Sequence, residues 1–382
     1  MKILYVLNSL GFGGTEIWLL EIIKLNKGKH QFHFLLTGGE KTVFDHEFNR
    51  LGCELFYLKF SRKNAINFVR GINKIVQKEK YDVIHNHEDF VAGWHWLFIF
   101  PNLPKIRIAH AHNSNIYIDN YSTGFIRKTA YTLGKILSGI FSTNISGTSN
   151  QVLNQLGYDS PFYRKKRIEP LYCGVNQANF SFDKDKRSKF RKSFLFDEEN
   201  IVVVFVGRID CPRQGEINHK NPEFALEIAK KTVLSNNNYK FLFVGDKGDL
   251  GLQLEKNIKE EGLAENILFL GKRSDINEIM NASDIFLMTS IIEPFGLVLV
   301  EAQFSGLKIV SSDIITKEII EFDELFELKD FDDIDKWVNT ILGEKWNVKT
   351  REAFISNNYD KLEKSKFTIT TSYDRLLKYY SK

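Results

Sequence analysis

Short apolar runs, each about the length of a β-strand, recur along the chain and alternate with stretches whose apolar positions follow helical spacing. The runs at 2–7, 31–37, 54–58, 81–85, 106–112, 142–146 and 167–172 predict seven strands of a first α/β unit. A charged stretch over 183–192 buries little by its pattern and predicts a linker with a surface helix. A second series then predicts strands at 200–206, 239–244, 266–270, 284–289, 307–311 and 324–327. Strands alternating with helices specify parallel, doubly wound sheets in both halves. Ligands of such sheets bind beyond the carboxyl ends of the strands, so with two sheets the expected place is a cleft between them.

Length agrees with two units, because 382 residues exceed what one hydrophobic core usually supports. The expected division is a first domain over 1–178, a second over 179–365, and a C-terminal helix within 366–382 that packs back on the first domain.

The strongest candidate chemistry sits after the fourth predicted strand of the second series. Pro294 favours an extended residue before it, Gly296 relieves crowding, and the apolar run that follows predicts a helix beginning at about Phe295. Glu293 then lies in the loop ahead of the helix. Glu301 lies about 7 Å along the axis from Gly296, at about 1.5 Å per residue, which is the reach from a phosphate to its neighbouring ribose. Backbone N–H groups at Phe295, Gly296 and Leu297 would favour an anion there. Arg208 stands just beyond the apolar run ending at Val206, and Lys220 precedes the helical pattern of 223–228. A guanidinium fork and an ammonium so placed would neutralise a pyrophosphate and stabilise it as a leaving group. Taken singly, solvated surface charges account for these residues equally well.

The first strand runs into a turn containing Gly11, Gly13 and Gly14, which permits close backbone approach to a phosphate. Its spacing excludes both the dinucleotide fingerprint G-x-G-x-x-G and the P-loop. Two His-x-His pairs, His85/His87 and His110/His112, end predicted strands with each pair on one face. A metal site and a set of hydrogen-bonded structural histidines are both open at this point, and the segments supply no obvious fixed carboxylate.

Charge is uneven. Residues 1–178 hold 22 Lys+Arg against 13 Asp+Glu, while the remainder is net acidic, so the first half is expected to meet an anionic partner. The apolar and basic stretch from Phe125 to Leu137 reads either as a partly buried helix or as one lying in a membrane interface. Cys53, Cys173 and Cys211 are scattered and read as reduced thiols of a cytoplasmic protein. The chain opens on a strand-like run, which predicts no secretory leader, and no apolar run approaches the roughly 18 residues of a membrane span, so any membrane contact is expected to be peripheral.

Taken in order, these segments resemble a retaining glycosyltransferase of family 4 with the GT-B fold, in which two doubly wound Rossmann-like α/β domains face each other across a cleft. The resemblance rests on Gly13-Gly14, the strand-end histidine in Ile108-Ala109-His110-Ala111-His112-Asn113, Ser-Gly-Thr-Ser at 146–149, and Cys173 to Phe180 near the domain crossover. It continues through Val206-Gly207-Arg208, Val244-Gly245-Asp246 and Phe269 to Asp275, and closes on Glu293-Pro294-Phe295-Gly296 with Glu301, which fits the family's Glu-x7-Glu motif. Bacterial capsule, exopolysaccharide and lipopolysaccharide enzymes are the most similar.

The resemblance implies that Arg208 and Lys220 bind the donor diphosphate and that Gly14, beside Gly13, approaches it from the other domain. It implies that Glu301 bonds the ribose, Glu293 the transferred sugar, the backbone from Phe295 through Gly296 to Leu297 the sugar and phosphate, and Lys272 and Arg273 the nucleobase. His112 would contact the sugar near the reacting carbon. One departure stands out: the family places its lysine about five residues after the arginine, whereas Arg208 and Lys220 are twelve apart, so Arg213 is an alternative second cation. The implied activity is retaining, metal-independent transfer of a hexose-type sugar, with no cofactor beyond the nucleotide-sugar donor, expected to be a UDP-sugar. The resemblance makes 1–178 the acceptor side and 179–365 the nucleotide-sugar donor domain. It implies a glycan or lipid-linked glycan as acceptor and no nucleic acid, and places the protein in the cytoplasm with peripheral contact at the inner face of the plasma membrane. Competing readings are a UDP-sugar epimerase of the same fold, a non-catalytic glycan-binding protein, and a metal-dependent hydrolase built on the His-x-His pairs.

Overall fold

The computed structural model describes residues 1–61, 63–114, 124–210 and 218–381. Cys211 and Arg213 lie outside the described residues. The chain divides into two compact units, one comprising 1–175 with 366–382 and the other 176–365.

In the first unit, β1 (Lys2–Leu7), β2 (Gln31–Leu36), β3 (Glu54–Tyr57), β4 (Val83–Asn86), β5 (Ile106–Ala111), β6 (Asn144–Gly147) and β7 (Arg167–Pro170) form one sheet. The strand order is β3-β2-β1-β4-β5-β6-β7, with every pairing parallel. In the second unit, β8 (Ile201–Val206), β9 (Tyr239–Val244), β10 (Ile267–Gly271), β11 (Ile285–Met288), β12 (Lys308–Ser312) and β13 (Phe326–Lys329) follow the order β10-β9-β8-β11-β12-β13, again parallel. Every strand expected from the sequence is present, with ends shifted by no more than two residues. Ile3, Leu4, Tyr5 and Val6 are buried in succession, as are Val202 to Phe205. Burial on both faces explains why these strands read as unbroken apolar runs. In each sheet the winding direction reverses at one place, between β1 and β4 and between β8 and β11.

Eight helices bear on the argument: α1 (Gly14–Asn26), α2 (Val91–Ile99), α3 (Phe125–Phe141), α4 (Lys184–Ser193), α5 (Pro222–Ser235), α6 (Ile276–Ala282), α7 (Leu297–Phe304) and α8 (Ile369–Tyr380). The first unit ends at Val175, three residues before the expected boundary, because Val175 exchanges backbone bonds with Phe367 and Ile369 on the returning chain. Helix α8 is held in that unit by Trp18, whose indole donates to Ser372 at 2.9 Å, and by Tyr380, whose hydroxyl meets Tyr5 and His85 at 2.8 Å each. The stretch from Phe125 is helix α3, which carries Arg127, Lys128 and Lys135, no acidic residue, and exposed Phe125, Ile126 and Ile140. Among the described residues no helix is long and apolar enough to cross a membrane.

The charged stretch over 183–192 departs from expectation. It forms α4, but Arg187 and Arg191 are almost fully buried. Their guanidiniums donate to the carbonyls of Asn281, Ala282 and Ser283 at the end of α6, and Arg351 donates to Met280, Asn281 and Ser283 from the other side. The last carbonyls of a helix lack partners and carry the negative end of its dipole, which is what a guanidinium fork satisfies. Asp284 supplies the counter-charge, meeting Arg187 at 2.7 Å and Arg191 at 2.6 Å. Apolar patterning cannot announce this, because the arginines at 187 and 191 fall one turn apart in a stretch that otherwise reads as solvated. Removing the carboxylate with Asp284→Ala leaves two buried guanidiniums with only the exposed Glu198, at 3.5 and 4.0 Å, as counter-charge and should cost about 3–5 kcal/mol of stability. Urea unfolding measures this, and a loss below about 1 kcal/mol would contradict the pairing scheme.

Candidate functional site

The carboxyl edge of the second sheet, where its winding reverses, gathers the charged residues singled out by the sequence. Strand β8 runs into Gly207 and Arg208, whose loop is held by Asn218, its amide donating to the carbonyls of Arg208 and Asp210 at 2.9 Å each. The end of β11 grips the far side of that loop. Thr289 donates to the carbonyls of Lys220 and Asn221, and the Ile291 N–H donates to His219. Lys220, just ahead of α5, donates its ammonium to the Glu293 carboxylate, which Ser290 also meets at 3.2 Å. The twelve-residue spacing from Arg208 therefore ends with Lys220 stacked against Gly207 at the head of α5. Arg208 is exposed, and among the described residues its guanidinium has no ion pair or hydrogen bond. An unpaired guanidinium beside an engaged lysine is suited to an incoming polyanion.

Helix α7 begins at Leu297, two residues later than expected. Gly296 takes φ +86°, ψ 57°, in the left-handed region, and so stands outside the helix as its N-cap. A Cβ there would come within 3.2 Å of Glu293, so the glycine lets the loop fold tightly over the helix start. Glu301 is half-buried in the second turn of α7, and no donor meets its carboxylate among the described residues. Desolvation pushes its carboxyl up to about 8. Lys272 and Arg273 follow β10 and are both engaged, Lys272 with Asp246 at 2.8 Å and Arg273 with Asp275 at 2.8 Å. From β10 to β11 is three strand spacings, about 14 Å at about 4.8 Å each, which is the length scale of a nucleoside diphosphate sugar.

In the first unit, Gly13 caps α1 and Gly14 opens it, with the Glu16 carboxylate folded back over Gly13. Burial raises the Glu16 carboxyl above its usual range. His112 follows β5, its Nδ1 at 3.1 Å from the Thr15 hydroxyl and its Nε2 at 2.8 Å from His87 Nδ1. Burial pushes His112 down to about 4, so it is neutral. The other histidines stack beneath it, with ring centroids 4.2 Å apart for His85/His87 and 4.3 Å for His110/His112. Ligand atoms of His85, His87 and His110 lie within 4.8 Å of one another, yet His85 Nε2 and His110 Nδ1 face each other in a 3.1 Å hydrogen bond. One of these rings donates its N–H to the other's lone pair, so the two facing nitrogens are engaged with each other within a hydrogen-bonded stack.

His87 and His112 border a cavity of about 560 Å³ at the carboxyl ends of the first sheet, also lined by Thr37, Glu88, Asp89, His95 and Asn113. The sequence reading missed those residues. Their signal was present, because Glu88 and Asp89 directly follow the His85/His87 pair and supply the carboxylates that spacing had not suggested.

The two halves match two family descriptions, Glycosyltransferase Family 4 over residues 12–178 and Glycosyl transferases group 1 over residues 186–361. The chain belongs to the family 4 glycosyltransferases. The glycosyltransferase is 28% identical over 336 residues to the capsular polysaccharide biosynthesis glycosyltransferase CapH of Staphylococcus aureus, covering 87% of this chain and 86% of that one. It is 26% identical over 281 residues to the UDP-Gal:alpha-D-GlcNAc-diphosphoundecaprenol alpha-1,3-galactosyltransferase of Escherichia coli, covering 71% and 68% of the two chains. Among solved structures, Anabaena Alr3699/HepE in complex with UDP-glucose is similar with a TM-score of 0.79 and 19% identity, over 99% of this chain and 98% of that one. This likeness agrees with a GT-B fold of two Rossmann-like units.

The unpartnered Glu301 gives the glycosyltransferase a pH signature. The folded chain keeps this carboxyl protonated up to about pH 8, whereas an unfolded chain releases the proton near 4.5, so folding retains a proton between those limits. Stability should therefore fall as pH rises through that window. Glu88, pushed up to about 7 by desolvation, adds a slope of the same sign. Glu301→Gln should lose less stability than the parent protein in urea titrations from about pH 5 to about pH 8. Identical slopes would show that the Glu301 carboxyl is hydrated and unperturbed.

Proposed function

We propose that this glycosyltransferase moves a hexose-type sugar from a UDP-sugar to a glycan or lipid-linked glycan during bacterial surface polysaccharide synthesis, with retention of the anomeric configuration and without a metal at the diphosphate. One observation carries the reading: an unpaired Arg208, the Lys220–Glu293 pair and an unpartnered Glu301 share the winding reversal of the second sheet. Arg208 and Lys220 neutralise the leaving diphosphate in place of a divalent ion, and Glu301 accepts the ribose hydroxyls. Glu293 bonds the transferred sugar and the backbone around Gly296 meets the phosphate. Neutral His112 touches the sugar near the reacting carbon without adding charge. With the departing phosphate accepting the acceptor's proton on the same face, the protein supplies position and electrostatics rather than a separate base. The UDP-glucose held by HepE, the UDP-Gal used by the E. coli relative and the capsular role in CapH's name support this donor and pathway class.

Arg208→Ala should remove charge-assisted contacts worth about 1.5–3 kcal/mol and weaken UDP binding roughly ten- to a hundredfold. Unchanged affinity in calorimetry, with the fold intact, would remove Arg208 from the diphosphate site. Product stereochemistry tests the reaction itself. An α-linked UDP-sugar should give an α-linked product in the presence of a chelator, read from the anomeric proton and carbon by NMR. A β-linked product would overturn the same-face mechanism, and a free epimer formed without acceptor would replace transfer by epimerisation.

A further inference from the structure

We propose that the hydrogen bond accompanying His112's contact with the transferred sugar comes from the Thr15 hydroxyl, and that His87 is the positioning residue that leaves the Thr15 proton free for it. The proposal rests on the glycosyl-transfer reading and adds two residues to its sugar contact.

Both ring nitrogens of His112 are engaged inside the protein. Nε2 faces His87 Nδ1 at 2.8 Å and Nδ1 faces the Thr15 hydroxyl at 3.1 Å, so the ring has no polar atom left for a ligand. Asp89 fixes the strand end that carries the ring, accepting the backbone N–H of His112 at 2.6 Å and that of Asn113 at 3.1 Å.

Three groups in line admit two proton orders. In one, Thr15 donates to His112 and His112 donates to His87. In the other, His87 donates to His112 and His112 donates to Thr15. Burial holds both rings neutral, so each carries a single proton. His87 decides between the orders, because its Nε2 is buried and meets no partner among the described residues. The first order would place the His87 proton on that nitrogen, as a buried donor without an acceptor. The second leaves only a lone pair there and spends the proton on His112. Folded chains avoid orphaned N–H groups more strictly than bare acceptors, so His87 donates through Nδ1 and His112 donates through Nδ1 in turn.

The consequence falls on Thr15. Accepting from His112 uses one lone pair of the hydroxyl and leaves its proton unspent. A hydroxyl that accepts a hydrogen bond is also polarised into a better donor. Thr15 follows Gly13 and Gly14 as the second residue of α1, is half-buried, and borders the same open space as His112 beyond the carboxyl ends of the sheet. Its target is a hydroxyl or ring oxygen of the hexose, which a neutral donor meets without adding charge.

Nitrogen NMR on the full chain, carrying isotope-labelled histidine, reads the proton order directly, because protonated and bare ring nitrogens resonate far apart. His112, assigned by the signals lost in His112→Gln, should show a protonated Nδ1 and a bare Nε2. A His112 ring protonated on Nε2 overturns the proposal. Calorimetry with UDP-glucose, UDP-galactose and UDP-N-acetylglucosamine, each against UDP, reads the sugar contact. Thr15→Val should weaken the preferred UDP-sugar roughly three- to tenfold with UDP affinity unchanged, and Thr15→Ser should restore the parent affinity within about twofold. His87→Phe should weaken the UDP-sugar by a similar factor, and the double variant should bind no worse than Thr15→Val alone. His87→Asn, whose amide places an N–H where Nδ1 stands, should bind as the parent does, a rescue that a merely structural His87 would not give. Parent-like affinity in Thr15→Val, additive losses in the double variant, or failure of His87→Asn to rescue overturns the proposal while UDP binding keeps the transfer reading. A parent protein that binds neither UDP nor any of the three donors removes both.

Discussion

One buried carboxylate governs the geometry of the second unit. Asp284 stands immediately before β11, accepts the Val202 N–H of β8 at 2.8 Å, and is gripped by Arg187 and Arg191. Strands β8 and β11 pair through only two residue pairs, Ile285 with Val203 and Phe286 with Val204, so the ladder alone fixes little of their register. The clamp at the amino end supplies what the ladder lacks. At the carboxyl end of these same strands stand Arg208 and Glu293, so the relative height of the two functional loops depends on a charge cluster at the opposite edge of the sheet. Buried ion pairs contribute little net stability but penalise every alternative arrangement, which suits a role in register.

The two units treat charge in opposite ways. On the second, Arg208 is left unpaired and Lys220 is held beside Glu293, so the site presents positive charge that a polyanion can use. On the first, the strand-end histidines are neutral, bonded to one another and anchored through Tyr380 to helix α8. Burial accounts for the histidines: imidazoles stacked beneath a strand end are forced to give up their protons. The chain's basic first half is thus a property of its surface, notably helix α3, and not of its cavity.

The central strands were legible because strands buried on both faces must be apolar throughout, as β1 and β8 are, and the partly buried edge strands β3, β7 and β13 followed from their place in the alternation. Pro294 and Gly296 announced a loop entering a helix for reasons of backbone sterics. They placed its first residue two positions early, because only the observed left-handed φ of Gly296 excludes it from the helix. What stayed hidden depends on contacts far apart in sequence. Nothing local to Arg187 or Arg191 points to the carbonyls of residues 281–283, and nothing local to His112 points to Thr15 or His87. Paired and unpaired charges look alike in a sequence, so nothing in it shows that Lys272 and Arg273 each already have an acidic partner.

That distinction also separates the two glutamates first noticed for their spacing. Glu293 is satisfied within the protein by Lys220 and Ser290, so a sugar arriving there must share or displace bonds that already exist. Glu301 has no such partner among the described residues, and burial raises its carboxyl, so a ligand's hydroxyls would meet an acceptor not already engaged by the protein. An unengaged group offers its full capacity to a ligand, whereas an engaged one must first give up a bond. The same contrast holds in the other unit, where both His112 nitrogens are engaged and the Thr15 hydroxyl keeps its proton. The groups left unspent in each unit are therefore those with the most to gain from a polar ligand, and they mark the binding edge of each sheet more sharply than charge or cavity volume does.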